Sequence, residues 1–313
     1  MKNVSGFATH AFLEFSKQAV TDSCTSGISN TLGQNASYGY FIINKNNILF
    51  PNGAQFIVSP ICLSGAADIN FCQELEIGEL TKMDIAGGFL QTRDDRENEV
   101  GFSSTGHFYY YIDTRTNYRL DLGLSDEMLL GHMKRDSRAR IRKIIKDSSN
   151  YELLNVSDNA EPYSNVFSHL YDDTATQGRF DSQYFFKKNT WLNLLSNPLW
   201  GLYILKYKNE VVAGAILSDL PNGYDYTFMG YKQCDIDVSR ALIYFIYKFL
   251  SNQGKGFLDL GGGIQENDSL ARFKLGLGAY KTNFKRVRFV RRNVLGAGIH
   301  EGDLREHLMK RWP

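Results

Sequence analysis

Cysteine is scarce in this chain. Four occur in 313 residues (Cys24, Cys62, Cys72 and Cys234), with no C-x-x-C pair and no His/Cys cluster at metal-ligand spacing. Neither a disulfide framework nor a zinc site is indicated, and the four are expected as reduced, partly buried thiols. Long apolar runs are missing too: nothing approaches the roughly 18 uncharged residues of a membrane span. The opening "MKNVSGFATHAFLEFSKQAV" has no basic start, apolar centre and small-residue cleavage site of a secretory leader, so a cytoplasmic location is expected. A large charge of one sign is also absent, since 35 Lys and Arg stand against 34 Asp and Glu. Net charge therefore gives no general case for a polyanion partner.

What is present is a 43% hydrophobic composition, enough for one large domain or two ordinary ones. The charge is also unevenly placed. Residues 134–146, "KRDSRARIRKIIK", hold seven basic side chains and one acidic, and residues 281–292, "KTNFKRVRFVRR", hold six basic and none acidic. Local basic segments in a near-neutral chain suit the holding of one phosphate-bearing substrate, although a solvated helix face and an exposed strand explain them equally simply. In "LSDEMLLGHMKRDSRARIRKIIKDSSN" a helix is predicted, with Ser125 as N-cap, Asp126 and Glu127 in its first turn, and an apolar stripe of Leu129, Leu130, Met133, Ile141, Ile144 and Ile145. Arg135, Arg138, Arg142 and Lys146 recur at spacings of three and four, which puts them on one face as a candidate phosphate clamp.

The first half otherwise reads as a mixed sheet, with strands in "GYFIINKNNILFPNGAQFIVSPICL" and "GHFYYYIDT". The second half has a clearer order. "YELLNV" is a strand; "PYSNVFSHLYDDTATQ" and "DSQYFFKKNTWLNLLSN" are helices; "LYILKYK", "EVVAGAILSD" and "YDYTFMGY" form a meander with turns at "KNE" and "PNG". Then come the helix "DVSRALIYFIYKFLSNQG", closed by Gly254, the strand "GFLDL", the short helix "NDSLARFKLGLG" capped by Asn267 or Asp268, and the strand "NFKRVRFVRR".

Three consecutive glycines, Gly261, Gly262 and Gly263, close the strand "GFLDL". As a G-x-G-x-x-G dinucleotide fingerprint counted from Gly261, the third glycine position is held by Glu266, a poor neighbour for a pyrophosphate. "LDLGGG" matches an S-adenosylmethionine-dependent methyltransferase loop locally. However, Gln265 stands where a glycine is expected and only 50 residues follow Gly263, too few for the rest of that sheet unless it is permuted. A third reading makes the run a strand end where backbone must approach a substrate closely; a plain turn without a ligand is the alternative.

The strand and helix order, with "LDLGGGIQENDSLARFK", "MKRDSRARIRK" and "GRFDSQYF", resembles the FemABX branch of the GNAT acyltransferase superfamily, including its BioF2-like acetyltransferase-domain type, over roughly residues 100 to 290. The resemblance implies an α/β (α+β) protein of tandem GNAT-like domains, each with a mixed, mainly antiparallel sheet flanked by helices. The expected boundaries are 1–147, a degenerate first domain ending in the basic helix, and 148–313, the acyltransferase domain. It also implies an N-acyltransferase or aminoacyltransferase, forming an amide on an amine acceptor such as an amino sugar or a cell-envelope precursor. A methyltransferase or a catalytically silent binding protein of the same fold stays open.

Amide formation by direct attack needs an activated acyl group, a deprotonated amine and charge stabilisation for the oxyanion, and no Ser/His/Asp or Cys/His arrangement is readable. The resemblance makes Lys274, with Phe273 beside it, the catalytic candidate. Arg135, Arg138, Arg142 and Gly261 to Gly263 are donor- or phosphate-binding candidates, and Arg179 and Tyr226 are acceptor-binding ones. His107 beside the tyrosine run is a weaker candidate for the base. Acetyl-CoA enzymes of this fold carry a Q/R-x-x-G-x-G/A loop that cradles pyrophosphate, but the matching junction, "GYKQCDIDVSRALIY", has no glycine between Tyr231 and Gln253 and carries Asp235 and Asp237. No tightly bound cofactor or metal is expected. The acyl donor is expected to be an acyl-CoA bound by an altered loop or an aminoacyl-tRNA, with tRNA as a candidate partner.

Overall fold

The computed structural model describes residues 24–30, 37–47, 50–58, 87–92, 100–180, 184–220, 222–263, 267–294 and 301–309. In chain order the first strands are β1 (Cys24–Asn30), β2 (Ser37–Asn47), β3 (Phe50–Val58), β4 (Gly87–Thr92), β5 (Gly101–Ser104) and β6 (Phe108–Asp121). Helices α1 (Asp126–His132) and α2 (Arg135–Lys146) follow, then β7 (Tyr151–Asn155), α3 (Glu161–Gln177), α4 (Lys188–Leu195), β8 (Trp200–Tyr207), β9 (Glu210–Leu220) and β10 (Gly223–Tyr231). The series ends with α5 (Val238–Leu250), β11 (Phe257–Gly262), α6 (Ser269–Gly276), β12 (Tyr280–Arg291) and α7 (Glu301–Met309).

The chain forms two compact units, Met1–Arg115 with Asn283–Pro313, and Thr116–Thr282. These differ from a division at residue 147. Helix α2, expected to close the first domain, buries Ile141 and Ile144 in the core of the second unit together with β6 residues Tyr118 and Leu120. An amphipathic helix belongs with whatever covers its apolar face, so the hydrophobic contacts and not the linker composition set the division.

In the first unit β1, β2 and β3 pair antiparallel in sequence, β3 and β4 pair parallel, β4 pairs antiparallel with β12, and β5 with β6. Helix α7 lays Leu304 and Leu308 against Val290, with Phe102, Tyr109 and Tyr111 around them. The tyrosine run of β6 therefore belongs largely to packing; Tyr110 is buried as well. A complete second copy of the acyltransferase fold is not traced among the described residues.

The second unit is a mixed sheet in the order β6, β11, β10, β9, β8, β7, antiparallel throughout except for β10 and β11. Its central strand β9 is buried at nearly every position, as a strand covered on both faces must be. Alternation along β8 shows the two layers: Tyr203 and Leu205 join a core built with α2 and α5, whereas Trp200 points to an aromatic cluster around Phe228. In that second cluster Trp191 of α4 meets Phe167 and Tyr171 of α3 edge-on at centroid separations of 5.1 and 5.0 Å, and Phe228 of β10 at 5.2 Å.

The long predicted helix from Ser125 is two helices. Ser125 does cap α1, accepting from the Met128 N–H, but Met133 and Lys134 are extended and α2 starts afresh at Arg135. Among the described residues no helix is long and apolar enough to cross a membrane. Trp191 is fully buried at the meeting point of α3, α4 and β10. Its replacement by alanine is expected to cost about 3–5 kcal/mol, measurable as a lower midpoint in urea denaturation.

Candidate active site

Strands β10 and β11 run parallel but pair over only three positions, Gly223 with Phe257, Tyr224 with Leu258 and Asp225 with Asp259. Beyond these the ladder ends, and β10 carries a bulge between Tyr226 and Phe228. The two strands separate towards their carboxyl ends, which frees backbone groups and opens a wedge in the sheet of the second unit. The glycine run of β11 lies on one side of this wedge.

A buried polar network marks the last paired rung. Asp225 and Asp259 are both fully buried. Asp225 accepts from Thr227 Oγ1 at 2.8 Å. Asp259 accepts from the Gly261 N–H at 2.9 Å, from Arg119 Nε at 3.0 Å and from Asn117 Nδ2 at 3.3 and 3.4 Å. Arg119 also stacks over the Phe257 ring at 4.1 Å. A buried carboxylate this well supplied with donors acts as a rigid fixture.

Its bond to Gly261 explains the first glycine. The contact two residues ahead is an Asx-type turn, and Gly261 takes a φ of +74°, which an L side chain adopts only with strain. Gly262 is excluded from growing for a different reason: a Cβ there would lie 2.9 Å from the Thr116 carbonyl oxygen. Gly263 is exposed at the strand end.

The turn presents the Gly262 carbonyl to Lys274. Asp268 caps α6 by accepting from the Ala271 N–H at 2.7 Å, and Lys274 lies in the last turn of that helix. Its Nζ donates to Gly262 O at 2.6 Å, and the residue is only 7% exposed. Burial lowers the Lys274 pKa from the ordinary lysine value of 10.5 to about 8, while the charges of Asp259, Asp225 and Asp268 pull it back up. Phe273, next to it, stacks under the Arg240 guanidinium at 4.9 Å.

The other candidates are dispersed. Arg135 and Arg142 are exposed on α2, and Arg138 donates to the Gly131 and Met133 carbonyls at 3.1 and 2.9 Å, closing the end of α1. Arg140, which points elsewhere on the helix, is the α2 arginine that lines a cavity of about 700 Å³ with Lys232, Cys234, Asp237 and Arg240. Arg179 is exposed in the turn that ends α3, with a φ of +52°; Gln265 and Glu266 lie outside the described residues. Among the described residues the Tyr226 hydroxyl, buried beside the wedge, has no hydrogen-bond partner, and burial pushes its pKa up. Asp225, Asp259, Asn117 and Arg119 escaped the sequence reading. Their signal was an aspartate inside each of two apolar strands, "YDYTF" and "FLDL".

The chain shares its fold with FemX. The superposition on the crystal structure of FemX has a TM-score of 0.59 at 11% identity, covering 88% of this chain and 90% of that one. A conserved protein of unknown function from Bacteroides thetaiotaomicron gives 0.57 at 11% identity, with 93% of each chain covered. L-PGS from Bacillus licheniformis gives 0.53 at 13% identity, with 96% of each covered. No protein-family model matches the sequence, and no curated protein does. The link to FemX is thus structural and distant, and no BioF2-like subtype is singled out by it. It also removes the footing of the methyltransferase alternative, because β11 has one parallel neighbour over three residues and an antiparallel one in β6.

The depressed Lys274 pKa fixes a pH dependence of stability. Between about pH 8 and 10.5 the unfolded chain holds this proton and the folded chain has released it, so stability contributed at this site rises with pH across that window. Relative to Lys274→Met, the wild type is expected to gain up to about 3 kcal/mol over the window. Urea denaturation of both proteins at pH 7.5 and 9.5 measures it. A difference that does not change with pH would contradict the buried-lysine assignment.

Proposed function

We propose that the protein is an N-acyltransferase or aminoacyltransferase that forms an amide on an amine acceptor, with an amino sugar or a peptide amine of an envelope precursor as the acceptor class. The observation that carries this is the wedge between β10 and β11, with the Lys274 ammonium tied to the Gly262 carbonyl at its glycine edge. The fold shared with FemX supports the reaction class, and the acceptor class follows from that resemblance. The second unit is the GNAT-like acyltransferase domain in this reading, and the first unit a degenerate relative of it. The acyl donor is an acyl-CoA or an aminoacyl-tRNA, met in the cytoplasm.

In the reaction the acceptor nitrogen attacks the acyl carbonyl carbon. A C–N bond forms, the bond from that carbon to the leaving group breaks, and the nitrogen sheds a proton to the leaving group or to solvent. Negative charge gathers on the carbonyl oxygen in between. A buried ammonium whose position is already fixed by a hydrogen bond stabilises that charge without having to reorganise. Near neutral pH Lys274, with a pKa of about 8, is still mainly protonated, as this role requires. Gly263, exposed at the strand end, leaves the donor's acyl group room to lie against the end of β11.

Incubation with acetyl-CoA and with aminoacyl-tRNA, each against amino-sugar and peptide-amine acceptors, tests the reading by mass detection of the amide. Lys274→Ala is expected to lower kcat/KM by about 10²- to 10³-fold with the fold retained in circular dichroism. Wild-type turnover by that variant would remove Lys274 from the mechanism.

The pH profile separates its possible roles. The rate ratio of wild type to Lys274→Arg, in which the cation persists at high pH, should fall as pH rises through about 8. A ratio that rises there would make Lys274 a base and not an electrostatic stabiliser.

A further inference from the structure

The cavity of about 700 Å³ lies where β10 runs into α5, the place at which acetyl-CoA enzymes of this fold hold pyrophosphate on the first N–H groups of the helix. In this chain two of those groups are engaged internally. The Val238 N–H donates to the Ile236 carbonyl at 2.9 Å, and the Arg240 N–H donates to Asp237 Oδ1. Asp237 is the N-cap of α5, and its other oxygen takes the two guanidiniums that face the cavity: Arg240 Nη1 at 2.8 Å and Arg140 Nη1 at 3.4 Å. Arg240 is held further by the Ser137 hydroxyl at 3.5 Å and by the Phe273 ring. One carboxylate thus stands in the position of the anion and takes the Arg240 guanidinium, together with a longer contact to Arg140, whose nearer partner is Asp136.

We infer that Asp237 is a specificity-determining residue that turns away donors carrying a pyrophosphate, by occupying the start of α5 and neutralising Arg240 with its own charge, while Arg140 is paired chiefly with Asp136 at 3.1 Å and only secondarily with Asp237. The inference rests on the acyltransferase reading, in which this cavity belongs to the donor, and narrows the donor to one not held through a pyrophosphate at α5. A second diphosphate charge would meet the Asp237 carboxylate at contact distance, and displacing that carboxylate would uncap the helix. Asp235, in the same loop, adds to the repulsion.

Calorimetric titration of the full chain with coenzyme A and with inorganic pyrophosphate tests this on the wild type, Asp237→Asn and Asp237→Gly. Asparagine keeps a helix cap while removing the charge, so that variant remains informative if the glycine variant fails to fold. The wild type is expected to show no saturable binding of either probe up to about 1 mM, and both variants to bind each at least ten-fold more tightly than the wild type. Two results would overturn the inference: wild-type coenzyme A binding that the variants weaken, or variants that ignore both probes as the wild type does. No acyl transfer is read in this titration. Absence of amide product with every donor would sink the acyltransferase reading and leave the binding phenotype of Asp237 standing, whereas coenzyme A bound by the wild type and used as a donor would do the reverse.

Discussion

The carboxylate of Asp259 is the fixture on which the site depends. It accepts from the Gly261 N–H, Arg119 and Asn117 at once, and so joins β11 to β6 at the rung where the parallel pairing with β10 stops. Because Gly261 is held in a left-handed turn by that bond, the next carbonyl is aimed at Lys274, and the lysine in turn fixes the end of α6 against the strand. A buried ion pair such as Asp259 with Arg119 stabilises little beyond what apolar residues of equal volume would. Its effect here is geometric: it defines where the sheet opens and which way the glycine edge faces.

Much of the second unit was legible before the structure, because its elements carry their own boundaries. The continuous apolar run of "EVVAGAILSDL", the cap Asp268 and the apolar periodicity of "VSRALIYFIYKFL" each fix an element locally. The break between α1 and α2 was not legible, because the apolar stripe from Leu129 to Ile145 continues across Met133 and Lys134 although their backbone is extended. A periodic pattern reports which side faces the core and says little about a two-residue interruption that keeps the phase. The same limit explains the arginines of α2. Spacing singled out Arg135, Arg138 and Arg142, but only the packing of Ile141 and Ile144 decides that Arg140 and Lys143 are the ones beside the start of α5.

The two ends of the site are physically connected. Phe273 and Lys274 are neighbours on α6; one supports the guanidinium of Arg240 at the start of α5 while the other reaches the glycine edge. The Arg240 side chain also spans to Ser137 on α2, so three helices meet around one cation. A ligand that shifted Arg240 would therefore act on the helix that carries Lys274. This makes the identity of the group at the start of α5 a matter of positioning as well as affinity.

The charge balance around Lys274 accounts for a pKa that is lowered yet remains near 8. Two cations, Arg119 and Lys274, are gathered with two buried carboxylates, Asp225 and Asp259. Desolvation alone would strip the proton from a lysine this deeply buried well below neutrality. The charges of Asp259, Asp225 and Asp268 oppose release of the proton and hold it in place near pH 7. An apolar wedge would have given a neutral amine suited to accepting a proton. The paired aspartates instead keep a cation that is buried, oriented and still charged, the form in which it can stabilise a developing oxyanion.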